Sequence, residues 1–312
     1  MKQYDEIQRR LARGWNTWNA RSVLSYVLLP EALAYNLGIK EYSGWRYLKE
    51  ANIGRPDQTE ARVFPGLRSY DGRYTELTLS WHGVELRVQS GTEGGDLVVL
   101  VTPLPNSRRA LVTVESGILW NRPGYLTTAG DALVGHLPTR VVHAWATSES
   151  INDPSIAAQT PFLAMPLDGP VGLSTGKRRD VTAIKAILER ERAAVLAARP
   201  DYGDLSEVCD AIQTVIAWDT VYEPEHARVV SPVSRMWCVG WGGYVLFDWD
   251  TYFAAYLASV NCKELAYVNA VEITREKTEQ GFVPNFGTVG GVKSRDRSQP
   301  PVGSLVVREL YR

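Results

Sequence analysis

Cysteines and long apolar runs are scarce in this sequence of 312 residues. Its three cysteines, Cys209, Cys238 and Cys262, form no C-x-x-C pair and no even set for disulfides, which is typical of reduced or buried thiols. No run approaches the roughly 18 apolar residues of a membrane-spanning helix. The polar start, MKQYDEIQRR, also lacks the apolar core of a signal peptide. These absences predict a cytoplasmic protein with no membrane partner.

An excess of basic charge is missing as well. Lys and Arg total 34 against 35 Asp and Glu, which argues against a nucleic-acid partner. The four histidines, His82, His136, His143 and His226, are scattered and form no HExxH or similar metal-binding pattern. No cofactor is therefore predicted, and a bound calcium ion has no signature. The sequence contains no GxSxG element, and GTVGGV lacks the phosphate-loop pattern GxxxxGK[ST].

Aromatic residues, by contrast, are plentiful and unusual in kind. Ten Trp and 15 Tyr stand against six Phe. Trp and Tyr combine a flat apolar face with a polar tip, which suits the apolar C–H faces and hydroxyls of sugars. Large β-rich cores use the same residues, so this composition favours carbohydrate only slightly.

The first half of the chain has the sequence pattern of an antiparallel β-sandwich. From about residue 22 to 175, short runs rich in β-branched and aromatic residues alternate with turn signals. ALAYNLGIK alternates, and TELTLSW (75–81) and VELRVQS (84–90) flank His82-Gly83, which predicts a hairpin. DLVVLVTPL, ALVTVESGILW, DALVGHL and TRVVHAWATS continue the pattern. We therefore predict an N-terminal sandwich domain over residues 1–178.

The second half reads as helical. DVTAIKAILERERAAVLAAR predicts an amphipathic helix that Asp180 or Thr182 could cap and that Pro200 ends. DLSEVCDAIQTVIAWDTVY predicts another helix. WDTYFAAYLASV and KELAYVNAVEITREKTEQ predict two more, joined at Asn261-Cys262. WDTYFAAYLASV is apolar almost all round, so we expect it to be buried. Antiparallel helices with short links indicate a bundle or an α/α barrel over residues 179–312.

Two stretches hold the most unusual residues. In RMWCVGWGGYVLFDWDTYF, aromatic side chains surround Asp248 and Asp250, as in a pyranose site where a ring stacks on an indole and a carboxylate accepts hydroxyl hydrogen bonds. We expect Asp248 to cap the helix that starts near Trp249, with Asp250 in its first turn. Ligand contact by Asp250 is equally compatible with the residues alone. The second stretch, GFVPNFGTVGGVKSRDRSQPP, reads as a long polar loop of the kind that is often functional.

WDTYF followed by GFVPNFG and RDRSQPP resembles the (α/α)6-barrel glycosidases, which are trehalases and the processing α-glucosidases of glycoside hydrolase family 63. GWNTWNARSVLSYVLLPEAL and GLRSYDGRYTELTLSW resemble the N-terminal sandwich of bacterial family 63 proteins, so the resemblance covers nearly the whole chain. Gly242-Gly243 match the paired glycines of the trehalase motif GGRFxExYxWD, but its Arg, Phe and Glu are absent. This difference favours family 63 over trehalase.

The resemblance implies a fold and a set of site residues. The fold is multidomain β + α, an antiparallel β-sandwich followed by the first helical hairpins of an (α/α)6 barrel. Trp249 and Asp250 match the Trp-Asp pair that holds the glycosyl unit, and Tyr252 is the aromatic residue just after it. Asn285 matches the Asn of the PNG-like loop. The implied substrate-binding residues are Trp249, Asp250, Tyr252, Asn285, Arg297 and Gln299.

The same resemblance implies an inverting glycosidase acting on α-linked glucosides or oligosaccharides. One carboxylic acid protonates the leaving oxygen while a second carboxylate, roughly 6.5–9.5 Å away, activates water. The family's acid lies in an ESGxDN-like motif, which is absent here, so we expect acid and base beyond Arg312, an N-terminal part of the family's chain, and no activity from these residues alone. Among the acidic residues present, Asp219 and Glu223 are spaced i,i+4 and could share a helix face, although a solvated helix end is the plainer interpretation.

Two other functions stay open. A non-catalytic carbohydrate-binding protein or scaffold would bind an oligosaccharide without cleaving it. A sugar phosphorylase of similar architecture would require phosphate for cleavage.

Overall fold

The computed structural model describes residues 2–312 and contains two compact units. The β unit comprises Gly14–Ala198. The helical unit comprises Arg199–Arg312 together with the N-terminal residues up to Arg13.

The β unit is built from antiparallel strands in two sheets. In chain order the strands are β1 (Gly14–Asn16), β2 (Ser25–Leu29), β3 (Leu33–Glu41), β4 (Arg46–Leu48), β5 (Arg62–Arg68), β6 (Tyr74–Trp81), β7 (Val84–Glu93), β8 (Asp96–Pro103), β9 (Ala110–Ile118), β10 (Tyr125–Ala129), β11 (Ala132–His136), β12 (Val141–Ala146), β13 (Phe162–Pro166) and β14 (Val171–Thr175). The first sheet has the order β1-β2-β3-β9-β13, with β4 paired to β3. The second has the order β10-β11-β12-β14-β8-β7-β6-β5.

The two sheets pack face to face, which confirms the predicted β-sandwich. Leu33 of β3 is fully buried, and a methyl group added to Gly135 of β11 would lie 2.7 Å from the Leu33 side chain. The predicted hairpin joins β6 to β7, with Trp81 opposite Val84. Its turn residues His82 and Gly83 both have positive φ, as a two-residue turn of this hand requires.

One helix completes the β unit. Helix α2 (Val181–Ala197) begins at Asp180, whose carboxylate accepts a hydrogen bond from the Ala183 N–H at 2.7 Å. Its apolar stripe packs on the outer face of the second sheet, where Ile184 and Leu188 belong to one core with Val98. This packing explains why the compact unit extends to Ala198, whereas the sequence placed the boundary at residue 178.

The helical unit contains short strands between its helices. In chain order its elements are α1 (Lys2–Leu11), a 3-10 turn (Gly203–Leu205), α3 (Ser206–Asp219), β15 (Val221–Glu223), β16 (Arg228–Val230), α4 (Arg235–Gly240), β17 (Val245–Phe247), α5 (Asp248–Ala258), α6 (Lys263–Arg275), β18 (Phe286–Thr288) and α7 (Gly303–Tyr311). The three long helices that the sequence predicts here are present as α3, α5 and α6. The region predicted as loop contains β18, which pairs with β17.

Helix α5 differs from its prediction. It contacts α3, α6 and α7, yet only one stripe is buried. Phe253, Tyr256 and Leu257 lie on its exposed side, with more than a third of each residue accessible to solvent. The expectation of burial all round was wrong because, among the described residues, no element covers that side of the helix.

The described helices pack side by side, and a six-hairpin barrel stays a prediction. Within residues 2–312, no helix combines the length and apolar character needed to cross a bilayer. Cys209, Cys238 and Cys262 form no disulfide in the described part of the chain.

Candidate functional site

Four aromatic side chains form a partly exposed surface in the helical unit, which we call the aromatic surface: Trp237, Trp241, Phe247 and Phe286. Phe247 of β17 lies directly opposite Phe286 of β18, with ring centroids 6.2 Å apart. Trp237 contacts Phe247 at 5.5 Å, and Trp241 contacts Phe286 at 5.1 Å. Trp237 is 44% exposed and Trp241 is 45% exposed. Large aromatic rings that stay in contact with water often mark a binding surface.

The local sequence explains how these rings come together. Helix α4, which carries Trp237, ends at Gly240, and Gly242 has a φ of +82°, a conformation that glycine adopts without strain. The chain can therefore reverse into β17 directly after Trp241. At Gly243, an added methyl group would lie 3.2 Å from the Val289 side chain, so a small residue suits this close approach.

The start of α5 and the RSQPP segment hold each other in place. One carboxylate oxygen of Asp248 accepts hydrogen bonds from Ser298 Oγ at 2.8 Å and from the Gln299 N–H at 3.1 Å. Gln299 Oε1 in turn accepts the Trp249 N–H at 2.8 Å. The prediction that Asp248 caps its own helix is therefore wrong. The amide oxygen of Gln299 caps α5 instead, and the Asp248 carboxylate anchors the loop.

Backbone hydrogen bonds join a third segment to this junction. The Asp248 N–H donates to the Asn285 carbonyl at 3.2 Å, and the Asn285 N–H donates to the Arg297 carbonyl at 3.0 Å. Asn285 immediately precedes Phe286 of the aromatic surface. The three sequence motifs around residues 248–250, 285 and 297–299 are thus neighbours in space, although up to 51 residues separate hydrogen-bonded partners.

The side chains of the predicted site residues differ in exposure. Trp249 is 37% exposed, and its ring lies 6.2 Å from that of Phe253. Asp250, Asn285 and Gln299 are half-buried. These side chains can reach a ligand that approaches from the solvent.

Arg297 and Tyr252 have their polar atoms engaged. Arg297 is exposed, and its guanidinium donates to Asp296 at 2.7 Å. Tyr252 is buried, with its hydroxyl 2.8 Å from Thr274 Oγ1. A methyl group at Gly303 would lie 2.6 Å from the Tyr252 ring, so the start of α7 covers that ring. Tyr252 therefore supports the site from inside the unit in this conformation.

The burial of Asp248 has an electrostatic consequence. Desolvation raises the pKa of its carboxyl, the hydrogen bonds from Ser298 and Gln299 oppose that rise, and the charge of Asp250 adds to it. The two carboxylates at the start of α5 therefore repel each other.

A buried ionic cluster belongs to the same unit: Glu223, Arg228, Tyr244, Glu272, Glu276 and Lys293. Arg228 Nε donates to Glu223 at 2.9 Å, and its other nitrogens donate to Glu272 and to the Tyr244 hydroxyl. Glu223 and Glu272 are fully buried. Glu272 also accepts a hydrogen bond from Arg275 at 3.0 Å. Removing one partner of a buried ion pair is costly, because the other charge then stays buried without full compensation.

This cluster also fixes the glycine-rich loop. Lys293 Nζ forms an ion pair with Glu276 at 2.8 Å and donates to the Glu276 carbonyl at 2.9 Å. A methyl group at Gly287 would lie 2.7 Å from the Glu276 carboxylate, so β18 can pass this close only with glycine there. The ionic cluster therefore sets the position of the strand that carries Phe286.

The suggested acidic pair Asp219 and Glu223 does not lie on one helix. Helix α3 ends at Asp219, Thr220 is extended, and Glu223 belongs to β15. Glu223 is buried, and Asp219 is half-buried, so neither is a solvated helix end. Burial raises the pKa of Asp219 to about 7, and the Arg235 guanidinium opposes that rise.

The structure brings Glu223, Glu225 and His226 within reach of one another, with potential ligand atoms inside 4.8 Å. Glu223 already accepts hydrogen bonds from the Glu225 N–H at 2.6 Å, the His226 N–H at 3.1 Å and Arg228 Nε at 2.9 Å. The Glu223 carboxylate therefore stabilises the turn between β15 and β16 by accepting hydrogen bonds from its backbone N–H groups. These contacts explain the cluster without a metal ion.

Sequence reasoning missed two features of this site. The Phe247–Phe286 contact joins strands whose pairing has no short-range turn signal, so no hairpin pattern reveals it. The ionic cluster did leave a signal, because Glu272 lies on the largely apolar buried face of α6 and Glu276 follows four residues later, directly after the helix.

No known family model matches the sequence, and no curated protein does either. Several solved structures match at low similarity. An inverting mannosidase of family GH92 from Bacteroides thetaiotaomicron is 12% identical with a TM-score of 0.36, over 96% of this chain and 49% of that chain. A second GH92 glycosyl hydrolase is 11% identical with a TM-score of 0.27, over 97% of this chain and 53% of that chain.

A polysaccharide lyase is 10% identical with a TM-score of 0.29, over 58% of this chain and 35% of that chain. This chain therefore spans between about a third and about half of the length of these proteins. TM-scores this low do not establish a common fold, so the substrates of these proteins say nothing about a ligand of this chain.

Proposed function

We propose that the helical unit binds one sugar ring of an α-linked glucoside or oligosaccharide at the aromatic surface and the start of α5. The observation that carries this proposal is the exposure of the Trp237, Trp241 and Trp249 indoles beside half-buried polar side chains. A pyranose presents apolar C–H faces that stack on indole rings, and hydroxyls that need charged or amide partners. Both kinds of group occur here within a few residues of one another.

The resemblance to glycoside hydrolase family 63 supports the finer assignment. In this proposal Asp250 accepts hydrogen bonds from two hydroxyls, and Trp249 packs against the ring. The proposed substrate-binding residues are Trp249, Asp250, Asn285, Arg297 and Gln299. Tyr252, whose ring the start of α7 covers, is proposed to support them from inside the unit. The proposed reaction is inverting hydrolysis, in which an acid and a base act from opposite faces of the sugar.

The first experiment measures binding to α-linked glucose disaccharides by titration calorimetry. Asp250→Asn removes the charged acceptor, and Trp241→Ala removes one stacking ring. We expect each change to weaken binding about tenfold, because a hydrogen bond to a charged group is worth about 1.5–3 kcal/mol and a stacked ring a comparable amount.

Trp45→Ala is the matched control, since Trp45 is 67% exposed but belongs to the β unit. Equal affinity of Asp250→Asn, Trp241→Ala and the unaltered chain would refute this site. Because the expected acid motif is absent from these residues, glucose release is measured on a protein that carries this chain together with an ESGxDN-like segment, and it distinguishes the remaining functions. Release without phosphate supports a hydrolase, release that requires phosphate supports a phosphorylase, and binding without release supports a carbohydrate-binding protein.

A further inference from the structure

A cleft of about 350 Å³ opens on the outer face of the first sheet, in the β unit. Its floor is formed by Asn36 of β3 and by Glu115 and Gly117 of β9. Asn36 and Glu115 are directly opposite each other in the antiparallel register, so their side chains lie on the same face of the sheet. Its volume is at the lower end of the range for small-molecule sites, which suits a mono- or disaccharide.

The floor has hydrogen-bonding capacity that the protein leaves unused. Asn36 is half-buried, and no described residue forms a hydrogen bond with its side-chain amide. Glu115 Oε1 accepts from the Gln159 N–H at 2.9 Å and from the Thr160 N–H at 3.3 Å. Within the described chain, no donor reaches its second oxygen, Oε2. An amide and a carboxylate side by side can bind vicinal hydroxyls, one donating and one accepting.

The charges around the cleft are balanced. Arg21 Nε forms an ion pair with Glu50 at 2.9 Å, and Lys49 Nζ donates to the Ala157 carbonyl at 2.9 Å. With Glu115 included, two cationic and two anionic groups line the cleft. A strongly charged ligand of either sign would be repelled by the groups of like charge. A neutral polyhydroxylated ligand would not be repelled, and its hydroxyls could form hydrogen bonds with the donors and acceptors of the cleft.

Gly117 leaves the space above the floor open. A methyl group there would make only ordinary contacts, 3.5 Å from Asn36 Nδ2 and 3.7 Å from Leu119. A larger side chain at this position would therefore occupy the cleft without displacing the strands.

We infer that this cleft is a second carbohydrate site, which binds a neutral mono- or disaccharide unit through Asn36 and Glu115. It is independent of the proposed function, because it belongs to the β unit and uses none of the residues assigned to the helical unit. Its affinity is expected to be weak, in the millimolar range, because no aromatic ring lines the cleft and stacking does not contribute.

The test uses the full chain carrying Trp241→Ala, so that binding at the aromatic surface is already weakened. Hydrogen exchange is followed with millimolar maltose, cellobiose and mannobiose in turn. We expect protection in peptides that cover residues 115–119 and 159–160. Gly117→Leu should abolish this protection, and Asn36→Ala should weaken binding about three- to tenfold through the loss of one or two hydrogen bonds.

Gly169→Leu and Asn152→Ala are the controls, since both positions lie outside the cleft and Gly169 has open space around it. Two results would overturn the inference. One is protection that persists in Gly117→Leu, and the other is the absence of protection with all three disaccharides. Protection by glucuronate or glucosamine but by no neutral sugar would also overturn it. Because the peptides of the aromatic surface are separate, failure at one site is distinguishable from failure at the other.

Discussion

The two units differ in how many of their large apolar residues are exposed to solvent. Among the residues whose burial the structure describes, six large hydrophobic residues of the β unit are exposed, whereas seventeen are exposed in the smaller helical unit. In the β unit, two sheets and α2 cover one another's apolar faces. In the helical unit, α3, α5 and α7 each bury one stripe and present further apolar side chains to solvent, as Val215, Tyr256 and Val307 illustrate. The apolar faces of the β unit are therefore covered more completely, whereas the helical unit combines partly covered helices with a buried ionic cluster.

The sharpest way to break this comparison is to remove Arg228. Arg228→Met leaves the buried Glu223 carboxylate without a guanidinium and Glu272 with Arg275 alone, at 3.0 Å. We expect a loss of about 3–5 kcal/mol in the free energy of unfolding of the helical unit. Hydrogen exchange of α6 peptides in urea measures it.

Arg179→Met is the matched change in the β unit. Its partners Glu93 and Asp96 are partly exposed, so water can solvate them after the change, and the expected loss is less than half as large. Equal losses at the two arginines would show that burial of the carboxylates does not decide the cost.

Truncating one apolar side chain in each unit compares a covered apolar residue with an uncovered one. Leu33→Ala removes a fully buried side chain between the two sheets, and we expect a loss of about 2–5 kcal/mol. Leu305→Ala on α7 removes a side chain of a residue that is 50% exposed, and it should cost about 1 kcal/mol or less. Urea unfolding followed by hydrogen exchange reports both, and similar losses would contradict the view that α7 leaves Leu305 largely uncovered while the two sheets cover Leu33.

Asp219 gives the helical unit a pH dependence of defined sign. Burial raises the pKa of Asp219 from 3.8 to about 7, so the folded state binds a proton that the unfolded state releases. This contribution to stability is complete below about pH 4 and is lost as the pH rises through 7. We expect Asp219→Asn to flatten the fall in stability between about pH 4 and pH 7, as measured by hydrogen exchange of α3. An unchanged pH profile would contradict it.

The smallest expected effect concerns the exposed apolar faces. Val208→Lys and Val215→Lys on α3 replace exposed side chains, so each should change the free energy of unfolding by about 0.5 kcal/mol or less. Both should nevertheless reduce binding of a hydrophobic dye, because the exposed apolar area shrinks. Phe64→Lys in the β unit is the control, where exposure is isolated. Equal dye loss at all three positions would weaken the contrast between the units.

The sequence predicted the sandwich and the long helices because their signals are local. Alternation over 75–90 with a His-Gly turn specifies a hairpin, and Asp180 specifies a helix start. Burial of α5 was mispredicted because composition shows which residues are apolar and not which neighbours cover them. The role of Asp248 was mispredicted for a similar reason, since its partners Ser298 and Gln299 lie about fifty residues further along. Long-range partners of this kind leave no periodic pattern.

The hydrogen bonds that join Asp248 and Trp249 to Gln299 make the start of α5 and the RSQPP segment depend on each other for their structure. The first turn of α5 is complete only while Gln299 is in place, and the loop is held only while Asp248 is in place. Cutting the chain anywhere between residues 290 and 297 would therefore fray the beginning of α5. Conversely, a molecule that binds and immobilises the loop would raise the temperature at which α5 unfolds. Thermal unfolding of α5 would then report binding at the loop, although the molecule does not contact the helix.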